Sequence, residues 1–568
     1  MSIVLGIFDG THDAGACLIE DGRLVLAVDE ERLTRQKGQG GFPIQSIKWC
    51  LAESGRSLSE MDQIAMAGFI NPNPILRMFR QKQRDWRLDE GHFYSPNNKI
   101  RNWTQFQSPF PRLQYRPSTY WSLYKKFLQQ RLSKQLKQLF HTNTPPIELY
   151  DHHHCHAASA YFSGGHLDAL VVVADGVGDG IALSIWTGNS QTHQLQQRLS
   201  IPFPHSLGLL YASFTGFLGY KPFRHEGKIT GLSAHGDRSK VKVAHPFTGP
   251  FPHRKLRPSF PLYDWLEQFS VYQPADIAAW LQDVIETELV GILEWAYTQF
   301  GDRPLVMAGG LVANVALNAT IAKKIAPPDF FVFPNMGDAG LAVGAGYLSG
   351  HQHFGWRPTK IQSVYLGPSI EPMTSTDHLE ISEPLSETEL CNRAVEALSQ
   401  GKIIARAIGR MEYGPRALGQ RSILCSAKAP AIHSKLNLLL NRSDIMPFAP
   451  IMRSDIAESW LDIPDSAWSA MEWMTITVQA KPKFQKRCPA VVHLDGSLRP
   501  QLVYQHKHPH LWKLLKHFEE KTGEPALINT SFNLHEEPIV CTKADALNTF
   551  TRSELDALWL GDHWVMKK

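Results

Sequence analysis

The six residues from Asp151 to His156 carry the types and spacing that most clearly indicate chemistry. They run into a string of helix formers, so His152 and His156 lie four apart on one predicted helical face. Two imidazoles at this spacing can bind one metal ion. Asp175 is a candidate carboxylate ligand, because it ends an apolar run before a glycine-rich loop. Such a set suits Fe(II), Zn(II) or Mn(II). The alternative is a capped helix start or a polar patch.

Such a site must be positioned by regular elements, and four segments combine an apolar strand or loop with glycines. They cover residues 3–15, 169–188, 305–322 and 335–346. The first two repeat the order strand, Asp-Gly loop, strand, turn and strand, which predicts duplicated halves facing each other across a cleft. A strand that enters a glycine-rich turn and then a helix offers backbone N–H groups to phosphate. Together the four segments resemble the actin, hexokinase and Hsp70 nucleotide-binding superfold, in which duplicated halves enclose ATP.

The chain beyond residue 385 carries different motifs, in which arginines stand on glycine-punctuated loops. The proline-containing stretch 356–385 predicts a linker before it. Guanidinium groups on such loops commonly bind phosphate or carboxylate, whereas a surface salt bridge is the commoner fate of a single arginine. Four loop arginines beside amides and hydroxyls favour an oxyanion site. The candidates are Arg416, Arg421, Arg442, Arg499, Asn529, Ser531 and Asn533.

Length and composition bound the class of protein. The chain has 568 residues, of which 43% are hydrophobic and 20% charged, so we expect a soluble protein of two or more domains. No apolar run is long enough to span a bilayer and the first residues lack a basic signal region, which predicts a cytoplasmic protein. Seven cysteines without a CxxC pair argue against a disulfide framework and a structural zinc knuckle.

The net charge of +4 is unevenly distributed along the chain. Residues 76–140 hold 14 Lys and Arg against three acidic residues, with Trp and Tyr between them. This composition fits a nucleic-acid stacking surface, and it also fits a long insertion whose helices expose a basic face. We favour the insertion, because one patch without a recognition motif gives weak support for nucleic acid. A cap over a site for anionic substrates would use the same charges.

Several motifs together resemble the O-carbamoyltransferases of the nodulation and antibiotic-tailoring family. They cover nearly the whole chain in order, apart from residues 76–140. The motifs are Asp9–Gly15, Glu30–Lys37, Gly41–Pro43, His152–Ser159, Glu226–Lys228, Gly414–Gly419, Met446–Pro450 and Asn529–Asn533. The chain departs from the family at Asn441, where members often carry a lysine before the arginine. If that lysine stabilises an adenylation transition state, this chain needs another cation there.

The resemblance implies an α/β and α+β protein of two domains. Residues 1–355 would form a duplicated actin-like domain, and residues 386–568 a domain like threonylcarbamoyl-AMP synthase. The C-terminal domain would convert carbamoyl phosphate and Mg-ATP into carbamoyl-AMP and pyrophosphate. The N-terminal domain would move the carbamoyl group to a hydroxyl of a small metabolite, such as an aminoglycoside, another sugar or another natural product, and release AMP. A homodimer is compatible with this resemblance.

The resemblance also implies roles for individual residues. It places Fe(II), or another divalent ion, between His152, His156, Asp175 and Asp338. His12 is the expected general base at the acceptor, with Asp13 beside it, because an imidazole titrates near neutral pH; an ordinary loop histidine is the alternative. The nucleotide candidates of the N-terminal domain are Lys37, Gly176, Glu226, Lys228, Gly309, Gly310 and Asn314. Arg416 is the expected catalytic residue of the C-terminal domain, where Arg421, Arg442 and Arg499 would also neutralise phosphate charge.

Two other functions stay open. The fold relationship and the basic segment 76–140 suggest a tRNA-modifying carbamoyl or threonylcarbamoyl transferase, which would bind tRNA in a salt-sensitive way. A non-catalytic nucleotide sensor would bind ATP without turning it over. His12 and the arginine loops disfavour the sensor.

Overall fold

The computed structural model describes residues 1–69, 119–260, 262–372, 379–440 and 448–568. The chain divides into two compact units. Unit 1 comprises Met1–Thr34, Gly38–Leu317 and Pro327–Ile361, and unit 2 comprises Arg35–Lys37, Asn318–Ala326 and Gln362–Lys568. Among the helices in these ranges, none combines the length and apolar character that a membrane span needs.

Unit 1 contains two five-stranded sheets with the same strand order. Its described strands are β1 (Ile3–Phe8), β2 (Gly15–Glu20), β3 (Arg23–Asp29), β4 (Gln63–Ala67), β5 (Ile147–Tyr150), β6 (Leu170–Gly178), β7 (Ile181–Gly188), β8 (Leu195–Pro202), β9 (Phe247–Thr248), β10 (Lys255–Leu256), β11 (Leu305–Ala308) and β12 (Phe330–Val332). The sheets run β3-β2-β1-β4-β5 and β8-β7-β6-β11-β12. In each sheet three antiparallel strands are followed by two parallel ones. The predicted duplication is therefore confirmed in the sheets.

The central strands of these sheets are buried along their length, because helices cover their faces. All six residues of β1 are buried, which explains its uninterrupted apolar sequence. The helices are α1 (Glu30–Thr34), α2 (Ile44–Ser54), α3 (Thr119–Phe140), α4 (His152–Gly164), α5 (Leu207–Phe217), α6 (Glu226–Ser233), α7 (Tyr263–Leu266), α8 (Pro274–Phe300), α9 (Val315–Lys324) and α10 (Leu341–Phe354). From Asn318 onward, α9 belongs to unit 2.

Helix α3 is the described end of the basic segment 76–140. Leu128, Leu132 and Leu136 recur every fourth residue and are buried in the core of the first sheet. The exposed side includes Lys126 and Lys134. The helix therefore has the apolar inner face and basic outer face predicted for an insertion, while the rest of the segment lies outside the described residues.

Helices α4 and α10 pack backbone to backbone. A Cβ atom on Gly344 of α10 would lie 1.8 Å from the carbonyl oxygen of Cys155 on α4. Only glycine allows this approach, since any side chain would push the helices apart. The contact matters because α4 carries the two predicted histidine ligands and α10 follows the loop that contains Asp338.

Unit 2 is built on an eight-stranded mixed sheet of order β14-β25-β24-β15-β17-β23-β18-β22. The strands of unit 2 are β13 (Tyr365–Ser369), β14 (Leu379–Ile381), β15 (Ile404–Ala407), β16 (Arg410–Glu412), β17 (Arg421–Ser426), β18 (Ala449–Arg453), β19 (Leu461–Asp462), β20 (Val478–Ala480), β21 (Ser497–Leu498), β22 (Gln501–Val503), β23 (Ala526–Ser531), β24 (Ala557–Leu560) and β25 (His563–Lys567). Parallel pairs join β15 to β24 and β18 to β22, and the other pairs of this sheet are antiparallel.

Two amphipathic helices cover the large sheet. The helices of unit 2 are α11 (Glu387–Ser399), α12 (Ile432–Leu439), α13 (Ala457–Trp460), α14 (Trp468–Met471), α15 (Pro482–Arg487), α16 (Pro509–Thr522) and α17 (Lys543–Arg552). The apolar faces of α11 and α16 share one core with residues of β15, β17, β18 and β23. Ser386 caps α11 in a capping box with Glu389, which fixes where the helix begins.

The segment 356–385, which the sequence predicted as a linker, contributes two strands to unit 2. β13 pairs with β16, and β14 pairs with β25 at the edge of the large sheet. Five- and three-residue strands are too short to give a periodic pattern, and Pro368 stands inside β13. The structure therefore corrects the expectation that this whole segment only connects.

Candidate functional site

Four predicted metal ligands converge in unit 1. The Nε2 atom of His152 lies 3.4 Å from Asp175 Oδ2 and 3.5 Å from Asp338 Oδ1. His156 Nε2 lies 3.5 Å from the same Asp338 oxygen. One donor atom from each of the four residues falls within 4.8 Å of the others. Residues separated by up to 186 positions thus form one compact cluster.

The histidines of this cluster have the properties of metal ligands. Both side chains are fully buried, and among the described residues none of their ring nitrogens has a hydrogen-bond partner. Burying polar atoms without a partner costs free energy, so the site favours a bound group that accepts electron pairs from these nitrogens. Two imidazoles and two carboxylates are donors that divalent transition metals prefer. The residues therefore fit a metal ion; its identity as Fe(II) stays a prediction.

The start of α4 is fixed by two carboxylates. Asp151 accepts a hydrogen bond from the His154 backbone N–H at 2.9 Å, as an N-cap does. Asp179 accepts the His152 backbone N–H at 2.9 Å. Gly178 provides the space, since a Cβ there would lie 2.0 Å from a ring carbon of His152. The sequence analysis did not assign Asp179 or Gly178, although their place in an Asp-Gly loop was the available signal.

Asp175 is aimed by an irregularity in its strand and by a glycine loop. The register of β6 against β7 shifts between Ala174 and Gly178, as at a β-bulge. The Gly310 backbone N–H donates to Asp175 Oδ1 at 2.9 Å, which leaves Oδ2 facing His152. Gly309 adopts a φ of 105°, and a Cβ there would lie 2.3 Å from the Ala174 oxygen. Gly309 and Gly310, which the sequence predicted as nucleotide contacts, thus both help to position the Asp175 carboxylate in this structure.

The electrostatics of the cluster keep both carboxylates ionised. Burial alone would raise the pKa of Asp175 and Asp338, but the histidines beside them lower it. His153 lies apart from the ligands. Its Nδ1 lies 2.9 Å from Ser184 Oγ, and its Nε2 lies 2.9 Å from the Ile181 carbonyl oxygen. Burial lowers the pKa of His153 to about 3, so it is neutral. This is consistent with a ligand set of His152 and His156 alone.

His12 stands at the edge of the cluster, with its two ring nitrogens in different environments. Nδ1 lies 3.0 Å from Asp13 Oδ2, and Nε2 lies 3.9 Å from Asp338 Oδ2. The Asp13 carboxylate favours the tautomer with its proton on Nδ1, which leaves the Nε2 lone pair facing the cluster. Asp13, which the sequence predicted to contact the acceptor substrate, therefore orients the His12 ring in this structure.

The protonation of His12 depends on the carboxylates around it. Burial would lower the pKa of this imidazole, but Asp13, Asp338 and Asp175 raise it to about 9. A cation held by Asp175 and Asp338 would offset their charge and return the pKa of His12 toward its ordinary value. A metal-loaded site would thus present a neutral imidazole, the form that a general base requires.

Two further nucleotide candidates have local structural partners. Asn314 accepts the Leu317 backbone N–H at 3.0 Å and so caps α9, and its Nδ2 donates to Gln282 at 2.8 Å. The carbonyl oxygen of Gly176 accepts a hydrogen bond from the Ser206 hydroxyl at 2.6 Å. Contact of either residue with adenosine stays a prediction.

The remaining candidates of the N-terminal motifs are Glu226, Lys228 and Lys37. Glu226 is the first residue of α6, and its carboxylate accepts the Phe223 backbone N–H. Burial raises the pKa of Glu226 to about 7, while the nearby His12 opposes that shift. Lys228 is partly buried in α6, and Lys37 is exposed and belongs to unit 2.

Unit 2 holds a second site, formed by two arginines. Arg416 and Arg499 are partly buried, and in the described parts of the chain neither guanidinium has an acidic partner. Burial lowers the pKa of Arg416 to about 10. The pKa of Arg499 is lowered well below its usual range by burial and then by the charge of Arg416. Two mutually repelling cations in a partly buried place would be stabilised by an anion, which makes the pair a candidate anion site.

A hydrogen-bond network brings the two arginines together. Asn529 on β23 donates to the Ala417 carbonyl oxygen at 3.0 Å and to Gln501 Oε1 at 2.7 Å. Gln501 on β22 donates in turn to the Leu418 carbonyl oxygen at 2.9 Å. These bonds tie the loop after Arg416 to the strand that follows Arg499. The Asn529 Oδ1 atom has no partner among the described residues.

The loop that carries Arg416 is anchored by Glu412, which the sequence analysis missed. One oxygen of this buried carboxylate accepts the backbone N–H groups of Leu418 (2.7 Å), Gln420 (2.7 Å) and Arg421 (3.1 Å). A single anion that gathers three donors holds the loop in one conformation.

The two other predicted residues at the end of β23 are Ser531 and Asn533. Ser531 is partly buried, and Asn533 donates to the Leu534 and Glu537 carbonyl oxygens.

Arg421 does not join Arg416 and Arg499 as a ligand-facing cation. It is fully buried, and within the part of the chain that the structure describes its guanidinium donates to backbone carbonyl oxygens alone. The acceptors are Cys541 (3.3 Å), Ile408 (2.6 Å), Gln420 (3.1 Å), Pro368 (3.0 Å) and Gly409 (3.1 Å). This corrects the expectation that Arg421 meets phosphate, since its donors are already occupied. Arg442 lies outside the described residues, as does Asn441.

Replacing Arg421 with methionine should therefore destabilise unit 2. The change removes all five hydrogen bonds of the buried guanidinium, although the Gln420 and Gly409 oxygens each keep a backbone N–H donor. Breaking a buried charged network costs about 3–5 kcal/mol. Urea unfolding followed by tryptophan fluorescence would measure this as a large drop of the transition midpoint. An unchanged midpoint would contradict the structural role assigned here to Arg421.

Comparisons with known proteins bear on this pair of sites. A family model described as "Carbamoyltransferase N-terminus" matches residues 3–248 and 262–347, and one described as "Carbamoyltransferase C-terminus" matches residues 395–567. An uncharacterized protein (sll1178) of Synechocystis sp. is 30% identical over 100% of this chain and 97% of its own length. The nodulation protein NolNO of Sinorhizobium fredii is 30% identical over 98% of this chain and 79% of its own length.

Among solved structures, HypF of T. kodakarensis matches with a TM-score of 0.38 and 12% identity. The match covers 63% of this chain and 48% of that one. A similarity this weak adds nothing to the strand order and the donor geometry described above.

Proposed function

Because the chain belongs to the carbamoyltransferase family, we propose that it is an ATP-dependent O-carbamoyltransferase that works in two steps. Carbamoyl phosphate and ATP would first give carbamoyl-AMP and pyrophosphate in unit 2. The carbamoyl group would then pass to a hydroxyl of a small acceptor in unit 1. The observation that carries the proposal is the pair Arg416 and Arg499, two cations that no described acid neutralises and that therefore favour an anionic substrate.

The first step needs dense positive charge, because two phosphorylated substrates meet. For the atoms to balance, carbamoyl phosphate must lose its phosphoryl group to water as phosphate, and the freed carbamate oxygen must attack the α-phosphorus of Mg-ATP. Pyrophosphate then leaves. Arg416 and Arg499 would hold the phosphate oxygens and stabilise the charge that develops during attack. The unpartnered Oδ1 of Asn529 is an acceptor suited to the carbamate amide N–H.

The second step needs a base and an oriented carbonyl group. His12 Nε2 would take the proton of the acceptor hydroxyl as its oxygen attacks the carbamoyl carbon, and AMP would leave as the carbon–oxygen bond breaks. Asp13 would hold the Nδ1 proton in place during this transfer. His152, His156, Asp175 and Asp338 would hold Fe(II) or another divalent ion. When bound, that ion would act as a Lewis acid on oxygens of the adenylate.

The acceptor is proposed only as a class. A hydroxylated small molecule, such as an aminoglycoside, another sugar or another natural product, fits an O-carbamoyltransferase. The motifs resemble those of the enzyme that carbamoylates tobramycin, so aminoglycosides stand first among the candidates to test. A panel of such compounds, analysed by mass spectrometry for gain of one carbamoyl group, would identify the acceptor.

The first step is testable without an acceptor. The protein, kept under reducing conditions with iron supplied, should release phosphate and pyrophosphate in equal amounts from carbamoyl phosphate and Mg-ATP. Omitting carbamoyl phosphate should abolish pyrophosphate release, which controls for plain ATP hydrolysis. Pyrophosphate at the background level in the complete mixture would contradict the proposal.

A further inference from the structure

Phe223 contacts His12, and its backbone conformation is unfavourable. Its φ angle is 63°, in the left-handed region that side chains larger than that of asparagine rarely adopt. Such a conformation persists only when its surroundings hold it, and it occurs preferentially at functional sites. The Glu226 carboxylate supplies this support, because it accepts the Phe223 backbone N–H.

The strained backbone places the Phe223 ring against His12. The two ring centroids are 6.1 Å apart with an angle of 24° between the planes, a stacked arrangement. The same ring also reaches Gly176, where a Cβ would lie 3.8 Å from Phe223 Cε1. The ring therefore lies beside the imidazole in an offset, nearly parallel arrangement, and next to the loop that follows Asp175.

His12 needs such a contact to keep its direction. The Asp13 hydrogen bond fixes Nδ1, but a ring held at one atom by its neighbour in a loop can still pivot about that bond. An aromatic face against the imidazole restricts the pivot. A misplacement of about 1 Å can lower the rate on the order of 100-fold. The gain in rate from holding His12 in place can therefore offset the conformational strain at Phe223.

We propose that Phe223 is a positioning residue: its ring, placed by a left-handed backbone that Glu226 holds, fixes the direction of His12 Nε2. The kinetic part of this inference rests on the proposed function. The ring contact between Phe223 and His12 is the link through which Phe223 would act on carbamoyl transfer. Nothing in the sequence indicated this role for Phe223.

A set of four variants separates position from stability. Phe223→Gly and Phe223→Ala both remove the ring, but only glycine relieves the left-handed strain. We expect both to lower kcat for carbamoyl transfer about 10- to 100-fold, with metal content and pyrophosphate release unchanged. Phe223→Gly should nevertheless unfold at a higher urea concentration than Phe223→Ala. Phe223→Tyr, which keeps the ring, should restore transfer.

A matched control introduces glycine at another residue with a left-handed backbone, one whose side chain has no aromatic ring. Ala326 has a φ of 48° and is exposed after the end of α9. Ala326→Gly should raise stability and leave the transfer rate unchanged. If Ala326→Gly lowered transfer as much as Phe223→Gly does, backbone flexibility rather than the ring would explain the loss, and the inference would be overturned.

A double-mutant cycle tests whether Phe223 acts through His12. In a His12→Gln background, adding Phe223→Gly should lower the residual transfer rate less than twofold. An equal loss in both backgrounds would overturn the inference. Crystal structures of the wild type and of Phe223→Gly decide it independently of turnover: we expect one imidazole orientation in the first and several in the second. Wild-type protein that fails to transfer any carbamoyl group would instead contradict the proposed function.

Discussion

The His156→Ala variant is expected to lose its bound metal and to transfer carbamoyl groups at least about 100-fold more slowly than the wild type. His156 Nε2 is a buried nitrogen whose hydrogen-bonding capacity no described residue fills, and it lies 3.5 Å from Asp338 Oδ1. Removing it leaves three of the four donors, and the two carboxylates then repel each other with less compensation. Metal analysis after anaerobic iron loading and dialysis would measure the first effect. Transfer from chemically supplied carbamoyl-AMP would measure the second.

The same helix offers a matched control for this prediction. His154 stacks on Trp186 with ring centroids 4.8 Å apart and lies on another face of α4. His154→Ala should keep both metal and transfer activity, and both variants should still release pyrophosphate. Equal metal loss in the two variants would mean that the histidine-rich helix binds metal without a defined site. Full metal content in His156→Ala would contradict the ligand assignment.

The Arg416→Ala variant is expected to lose about 100- to 1000-fold in the rate of pyrophosphate release. The reason is the loss of one of two cations that would stabilise charge on the phosphates. The same change should make unit 2 slightly more resistant to urea, because Arg499 would no longer face a like charge. Activity and stability would therefore move in opposite directions.

Arg453 provides the opposite pattern as a control. Its guanidinium lies 2.9 Å from Glu519 and 3.4 Å from Asp455, and it packs over Trp512. Arg453→Ala should lower the urea midpoint and leave pyrophosphate release close to that of the wild type. If Arg416→Ala behaved like this control, with lower stability and normal activity, Arg416 would be a structural residue and the anion site would be refuted.

Residue spacing along the chain was sufficient to predict the scaffold of unit 1. Asp-Gly loops after apolar strands indicated the duplicated sheets. When two sheets have the same strand order, the turns between their strands recur in the same order along the sequence. The pair His152 and His156 followed from helical periodicity alone. Asp338 did not, since nothing local relates a residue in a glycine loop to a helix 182 positions away, and only the family resemblance supplied it.

The arginines of unit 2 show where a sequence reaches its limit. Arg416 and Arg421 stand five residues apart on one loop, and their chemistry as isolated side chains is identical. Tertiary packing gives Arg421 five carbonyl partners and gives Arg416 a place beside another cation. Phe223 and Glu412 escaped prediction for a related reason: a left-handed backbone and a carboxylate that collects N–H groups leave no pattern in residue types.

The contact between Gly344 and Cys155 has a consequence for the choice of ion. Because α4 and α10 touch backbone to backbone, the helix that carries the histidines and the helix that follows the Asp338 loop are held at one separation, which limits how far the four donors can spread apart. Calcium takes about six to eight oxygen ligands at long range, in flexible sites. Donors held close together, half of them nitrogen, would therefore suit a transition-metal ion better than calcium, which takes more ligands at longer distances, or magnesium, which prefers oxygen.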